Sequence, residues 1–152
     1  NKKAYVPEYE RIGGALQAGR DDIHMRLGKA LLWYAEAANE NGNTQTALTA
    51  LNAIRRRARQ GNASVLPDVT VTGKEALRQA IWQEQRVEFG QEYERFFELV
   101  RQGRAGAVMR AYAAKYNTAK GSGFKDGVNE IFPIPQTEIN LSKGVLKQNP
   151  GY

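Results

Sequence analysis

The strongest constraint on how this chain can fold is a pair of apolar stripes separated only by Asn41-Gly42-Asn43. Leu27, Leu31, Tyr34, Ala35 and Ala38 form the first stripe, and Ala47, Leu48, Leu51, Ile54 and Ala58 the second. Recurrence at three- and four-residue steps puts each set on one face of an α-helix. Asp21 and Asp22 stand where they would cap the first helix, Asn41-Gly42 is a natural stop, and Asn43-Thr44 opens the second. A connection this short returns the chain antiparallel, so residues 23–59 are expected to form a helical hairpin. Ala35, Ala38 and Ala47 lie where the two helices must approach closely, while Trp33 falls off the centre of its face.

Ala35, Gly42, Ala47 and Leu51 match the spacing of a tetratricopeptide (TPR) unit, whose period is about 34 residues. One such unit cannot bury both its faces, and only one clear copy is present, so neighbouring repeats are either missing or replaced by other helices. Residues 1–22 carry Pro7, Gly13, Gly14 and Gly19 and read as an irregular lead-in. Residues 60–73 read as a loop with a brief extended stretch at Val69 and Val71. Further helices are expected over 74–116. The first starts from a capping box, Thr72 with Glu75, and runs through Leu77, Ala80, Ile81, Trp82 and Val87 to Phe89, bent or ended by Gly90. A second spans 92–102 with Tyr93, Phe96, Phe97, Leu99 and Val100, and Gly103 stops it. A third spans 105–116 with Val108, Met109 and Tyr112 on one side. Pro133 and Pro135 force an extended, irregular tail over 128–152, with a turn near 138–141. Ile134 and Ile139 are expected to anchor that tail over the helices. The expectation is an all-α fold, a TPR-like hairpin plus further helices and an extended tail, forming a single domain over 1–152.

The chemistry is bounded by what the 152 residues contain. There is no cysteine, which excludes disulfides, thiolate metal sites and cysteine nucleophiles, and the single histidine, His24, excludes any site that needs two. No HExxH, GxSxG, GxGxxG or P-loop pattern occurs. No apolar run approaches the ~20 residues of a bilayer span, and the Asn1-Lys2-Lys3 start does not resemble a signal peptide. The net charge is +6, with Arg55, Arg56, Arg57 and Arg59 as the one basic cluster. Helical spacing turns those arginines to different faces, so the charge reads as a mildly basic surface rather than a nucleic-acid stripe. Glu84, Glu88 and Glu92 repeat every four residues on one face. Carboxylates so grouped serve acid–base or metal chemistry, but Arg86, Arg95 and Arg101 are close by and favour a structural ion-pair network.

Three blocks of the chain resemble the SusD/RagB family. Tyr34-Ala35-Glu36-Ala37 with Asn39-Glu40, then Ala47-Leu48, Leu51-Asn52, Ile54-Arg55 and Arg57-Ala58, resemble its "YAEA.NE" and "AL..LN.IR.RA" helices. Ile81, Glu84, Arg86, Glu88, Glu92, Arg95, Glu98-Leu99, Arg101 and Gly103 follow its charged block, departing at Gln85, Tyr93 and Glu98, where Arg, Gly and Asp are usual. Phe132-Pro133-Ile134-Pro135, Glu138-Ile139 and Gln148-Asn149-Pro150-Gly151-Tyr152 resemble its "LPIP..E" and closing "QNPGY".

The resemblance implies the C-terminal portion of a much longer outer-membrane, cell-surface lipoprotein, and the opening Asn1 in place of Met fits that reading. Members bind oligosaccharides or polysaccharides and sit as a lid on a SusC-like TonB-dependent transporter, held to the membrane by a lipid on their N-terminal cysteine. They are not enzymes, so no catalytic residue, cofactor or metal is expected, and no nucleic-acid partner. The resemblance assigns no sugar-binding residue here. Aromatic faces that could stack on a sugar are Trp33, Trp82, Tyr9 and Tyr112, although Trp33, Trp82 and Tyr112 lie on helices, where packing is the commoner role. The alternative is a TPR-type protein-interaction scaffold that holds an acidic partner and binds no glycan.

Overall fold

The structure, a computed structural model, describes residues 7–10 and 24–152. Among the described residues there are six α-helices and no strand: α1 (Leu27–Glu40), α2 (Thr44–Arg59), α3 (Lys74–Glu88), α4 (Arg95–Arg101), α5 (Ala105–Lys115) and α6 (Gln136–Leu141). A short 3-10 turn, Glu8–Glu10, precedes them. The chain divides into two compact units, Asn1–Tyr93 and Glu94–Tyr152.

In the first unit α1 and α2 form the expected hairpin, and α3 packs against both. Gly42 makes the turn at φ +81°, a left-handed conformation that suits glycine. Ala35 and Ala47 are fully buried and Ala38 and Ala50 nearly so, which brings the backbones together; Leu32, Leu51, Ile54, Leu77, Ile81 and Phe89 fill the rest of the core.

The buried arc of α1 differs from the expected stripe. Leu27 and Tyr34 are exposed, and the arc is Lys29, Leu32, Ala35, Glu36, Ala38 and Asn39. The reason is that α1 is covered on two sides. Ala35 and Ala38 continue the stripe expected to meet α2, whereas Glu36 and Asn39 reach residues of α3. Similarly, Ala58 on α2 and Val87 on α3 are exposed. Arg26, not an aspartate, stands at the N-cap of α1, and Asp21 and Asp22 lie outside the described residues, as does most of the 1–22 lead-in. The capping box is also corrected: Gly73 is the N-cap of α3, and no side chain caps it.

The loop between α2 and α3 contains no strand. Its extended stretch is held instead by Asn52, whose Nδ2 donates to the Val69 carbonyl at 3.0 Å and whose Oδ1 accepts the Val69 N–H at 2.8 Å. The carboxamide thus pairs with one residue as a neighbouring strand would.

In the second unit α4 is shorter than the 92–102 expected, and α5 follows it after Gly103 at φ +66°. The tail includes a real helix, α6, where a turn was expected. Gln136, which follows Pro135, has its first turn closed by bonds from Glu138 and Ile139 to the Pro135 carbonyl.

The rest of the tail is irregular, and its closing residues clamp it. Gln148 repeats the Asn52 device: Oε1 accepts the Ile134 N–H at 2.8 Å and Nε2 donates to the Ile134 carbonyl at 2.9 Å. Asn149 Nδ2 donates to the Phe132 carbonyl at 2.7 Å, and the Tyr152 hydroxyl donates to the Ile131 carbonyl at 2.8 Å. Gly151 sits at φ +90°, and a Cβ there would lie 2.6 Å from Val128 Cγ2. The resemblance of this segment to "QNPGY" therefore has a structural meaning. Gln and Asn supply the amides, Gly admits the close approach, and Tyr supplies the last donor. Ile134 and Ile139, the aliphatic anchors expected, are only half-buried, and the clamp fastens the tail to itself.

Replacing Gln148 with Ala leaves both backbone groups of Ile134 without their partner. A loss of about 1–3 kcal/mol is expected, read as faster amide hydrogen exchange at Ile134 and a lower melting temperature.

Candidate functional site

The carboxylate row on α3 forms an ion-pair network, but with other partners than the sequence suggests. Glu84 accepts from Arg55 Nη1 at 2.6 Å. Glu88 Oε1 accepts from both Arg26 Nη1 and Arg57 Nη2, each at 2.6 Å. Glu92, beyond the end of α3, accepts from Arg26 Nη2 at 2.7 Å. The Arg26 guanidinium folds back across Gly28 to make these bonds; a Cβ on Gly28 would lie 2.5 Å from its Nη1. Burial opposes the charge on Arg26, yet the bonds to Glu92 and Glu88 raise its pKa on balance. Arg86 is exposed on α3, Arg95 begins α4, and Arg101 pairs with the buried Glu98 of its own helix at 2.6 Å.

The basic cluster on α2 is similarly used within the unit. Besides its pair with Glu84, Arg55 donates to the Pro67 carbonyl at 2.9 Å. Arg59 donates to the Leu66 carbonyl at 3.1 Å and pairs with Asp68 at 2.7 Å. Arg56 donates to the Asn52 carbonyl at 3.2 Å. These cations bind the loop and α3 rather than forming one open stripe.

A second polar group is buried between α1 and α3. Glu36 Oε1 accepts from Trp82 Nε1 at 2.9 Å, and Glu36 Oε2 accepts from Gln85 Nε2 at 2.7 Å. Gln85 is almost wholly buried, and its amide serves the carboxylate. Lys29, also buried, donates to the His24 carbonyl at 2.8 Å and lies 5.9 Å from the ring centres of both Trp33 and Phe89. His24 itself is exposed, just ahead of α1. Neither Glu36 nor Lys29 was singled out by periodicity, which treats charge as a mark of the outer face. A signal was available in Glu36 and Trp82, polar-edged residues flanking apolar stripes.

The aromatic candidates separate cleanly. Trp33 and Trp82 are half-buried and engaged as just described. Tyr9 is 85% exposed on the short 3-10 turn. Tyr112 is 51% exposed and faces Tyr116, one helical turn on, with ring centres 4.7 Å apart. Tyr116 was missed in the sequence, although its i+4 relation to Tyr112 was there to see. Phe96 approaches Phe97, Phe124 and Phe132 at 6.1–6.5 Å, tying α4 to the tail.

In the second unit a cavity of about 160 Å³ is lined by Val100, Gly106, Arg110, Asp126 and Glu130 among others. Arg110 Nη2 pairs with Asp126 at 2.8 Å, and that bond raises the Arg110 pKa. Among the described residues no group of three or more His, Asp or Glu side chains is placed to hold a metal ion, and no helix is long and apolar enough to cross a membrane.

The SusD family sequence model matches residues 2–152. The chain belongs to the SusD family. It is 27% identical to SusD-like protein P2 of Formosa agariphila over 158 aligned residues, which cover 99% of this chain and 30% of that relative's length. No solved structure matches the chain. For this SusD-family chain the match takes in both units, the charged helix α3 and the clamped tail alike.

One carboxylate at the hairpin end has a pH consequence. Arg78 grips Glu40 at 2.5 and 2.6 Å, and this bond holds the Glu40 carboxyl at about 2, down from 4.5; partial desolvation opposes the shift and Lys74 adds to it. A depressed folded-state pKa stabilises the fold above the unfolded value, and that contribution disappears as pH falls through the folded value. Stability is therefore expected to decline between pH 4.5 and about 2, and Glu40→Gln should flatten that part of a urea-denaturation series. The site is partly open to solvent, so the contribution is small. Glu88→Gln should cost more, because it removes the charge that Arg26 and Arg57 share; a loss of about 1–2 kcal/mol is expected in the same assay.

Proposed function

We propose that this chain is the C-terminal domain, residues 1–152, of a cell-surface glycan-binding lipoprotein that captures oligosaccharides for import by a SusC-like TonB-dependent transporter. The observation that carries the reading is membership of the SusD family across residues 2–152. On this reading the whole protein lies at the outer membrane, held by a lipid on a part that precedes this domain, and it binds rather than transforms its glycan. The domain's role is chiefly that of a scaffold. Several of its charged residues are engaged in internal ion pairs, as in Arg26–Glu88, Arg55–Glu84 and Arg59–Asp68, which suits a rigid platform better than an acid–base site. The same pairing counts against the alternative of an acidic protein partner, since Arg55 and Arg59 of the basic cluster are already engaged.

The test uses the full-length parent protein. Isothermal titration against malto-, xylo- and laminari-oligosaccharides is expected to show binding to at least one series, and affinity purification from its own membranes is expected to bring down a TonB-dependent transporter. No binding together with no transporter would overturn the proposal.

A further inference from the structure

We infer that Tyr112 on α5 and Tyr116 at its C-cap form a contact site for a saccharide ring. The inference rests on the glycan reading above and assigns part of the binding surface to this domain. The two tyrosines are four residues apart, so they stand one above the other on one side of the helix. Their ring centres are 4.7 Å apart and the planes are tilted by 45°, which makes a shallow wedge of two aromatic faces rather than one flat stack. Tyr112 is 51% and Tyr116 58% exposed.

The pair differs from several other aromatics among the described residues. Trp33 and Trp82 are half-buried in the first unit, with the Trp82 indole N–H committed to Glu36. Phe97 and Phe132 are well exposed, but they have no hydroxyl and belong to the ring cluster around Phe96. Tyr9 and Tyr93 are exposed without an aromatic neighbour among the described residues. Among the described residues Tyr112 and Tyr116 combine two adjacent, exposed rings with two phenol groups that bond to no described residue. A pyranose presents C–H bonds on its faces and hydroxyls around its edge. It is matched by apolar ring faces bordered by groups that both donate and accept.

The support beneath the pair is firm. Ala113, between the two tyrosines in sequence, is buried on the inner side of α5, and a tyrosine has only two torsions to freeze on binding. Lys115 Nζ lies 5.3 Å from the Tyr116 ring centre, which helps to hold that ring in place.

The experiment is titration of the full-length parent protein and its Tyr112→Ala/Tyr116→Ala variant with the oligosaccharide series to which the wild type binds. The variant is expected to bind roughly tenfold more weakly with an unchanged melting temperature. Equal affinities would overturn the site while leaving the glycan-binding function standing; no binding by the wild type to any series would remove both. Should the double variant melt early, the wild type decides the matter by nitration with tetranitromethane, followed by peptide mass spectrometry. Saturating oligosaccharide is expected to slow nitration at Tyr112 and Tyr116 but not at Tyr9, and equal rates with and without sugar would overturn the site.

Discussion

An all-helical chain that carries long irregular segments must satisfy their backbone polar groups without a sheet, and much of this structure follows from how it does so. A buried or half-buried N–H or carbonyl left unpaired is costly. Here Asn52 and Gln148 each use one carboxamide to pair both groups of a single extended residue, Val69 in one unit and Ile134 in the other. Arg55 and Arg59 take the carbonyls of Pro67 and Leu66, and Asn149 and Tyr152 take those of Phe132 and Ile131. Side chains of α2 thus hold the irregular loop in the first unit, and side chains from the end of the tail hold the tail itself in the second.

The first unit shows the complementary solution between helices. Alanines at 35, 38 and 47 let α1 and α2 approach, so little space remains there for anything but backbone. The wider gap toward α3 takes Glu36, Gln85 and the edge of Trp82, hydrogen-bonded to one another. Outside it, Glu84, Glu88 and Glu92 are met by arginines from α2 and from the residue ahead of α1. Charge is used here to fix the positions of helices.

Much of this architecture was legible in the residues. The hairpin turn at Gly42, the start of α3 beside Gly73 and the stop at Gly103 follow from local conformational preference, which acts over a few residues. The orientation of α1 was read less well, because a helix packed on two sides buries polar residues that a single stripe assigns to solvent. Leu27 and Tyr34 were placed inward, and Glu36 and Asn39 were not. The partners of the α3 carboxylates were misjudged for a related reason. Nearness in sequence suggested Arg86, but pairing across 29 to 66 residues, from Arg55 to Glu84 and Arg26 to Glu92, depends on tertiary packing. The tail motif was recognised as a pattern, while its function as a clamp became evident only from the atoms. Tyr116 was overlooked because attention to one aromatic at a time misses a pair.

The attachment of Val69 to Asn52 has a bearing on how this fold can vary. Because the loop after α2 is fastened at 66–69 to side chains of α2 itself, the stretch from Gly61 to Val65 is a closed excursion that begins and ends on the same helix. Added length there alters only the entropy of closing a loop, which grows slowly with the number of residues, and leaves the entry to α3 untouched. That stretch is where lineages could lengthen or decorate the surface without disturbing the scaffold.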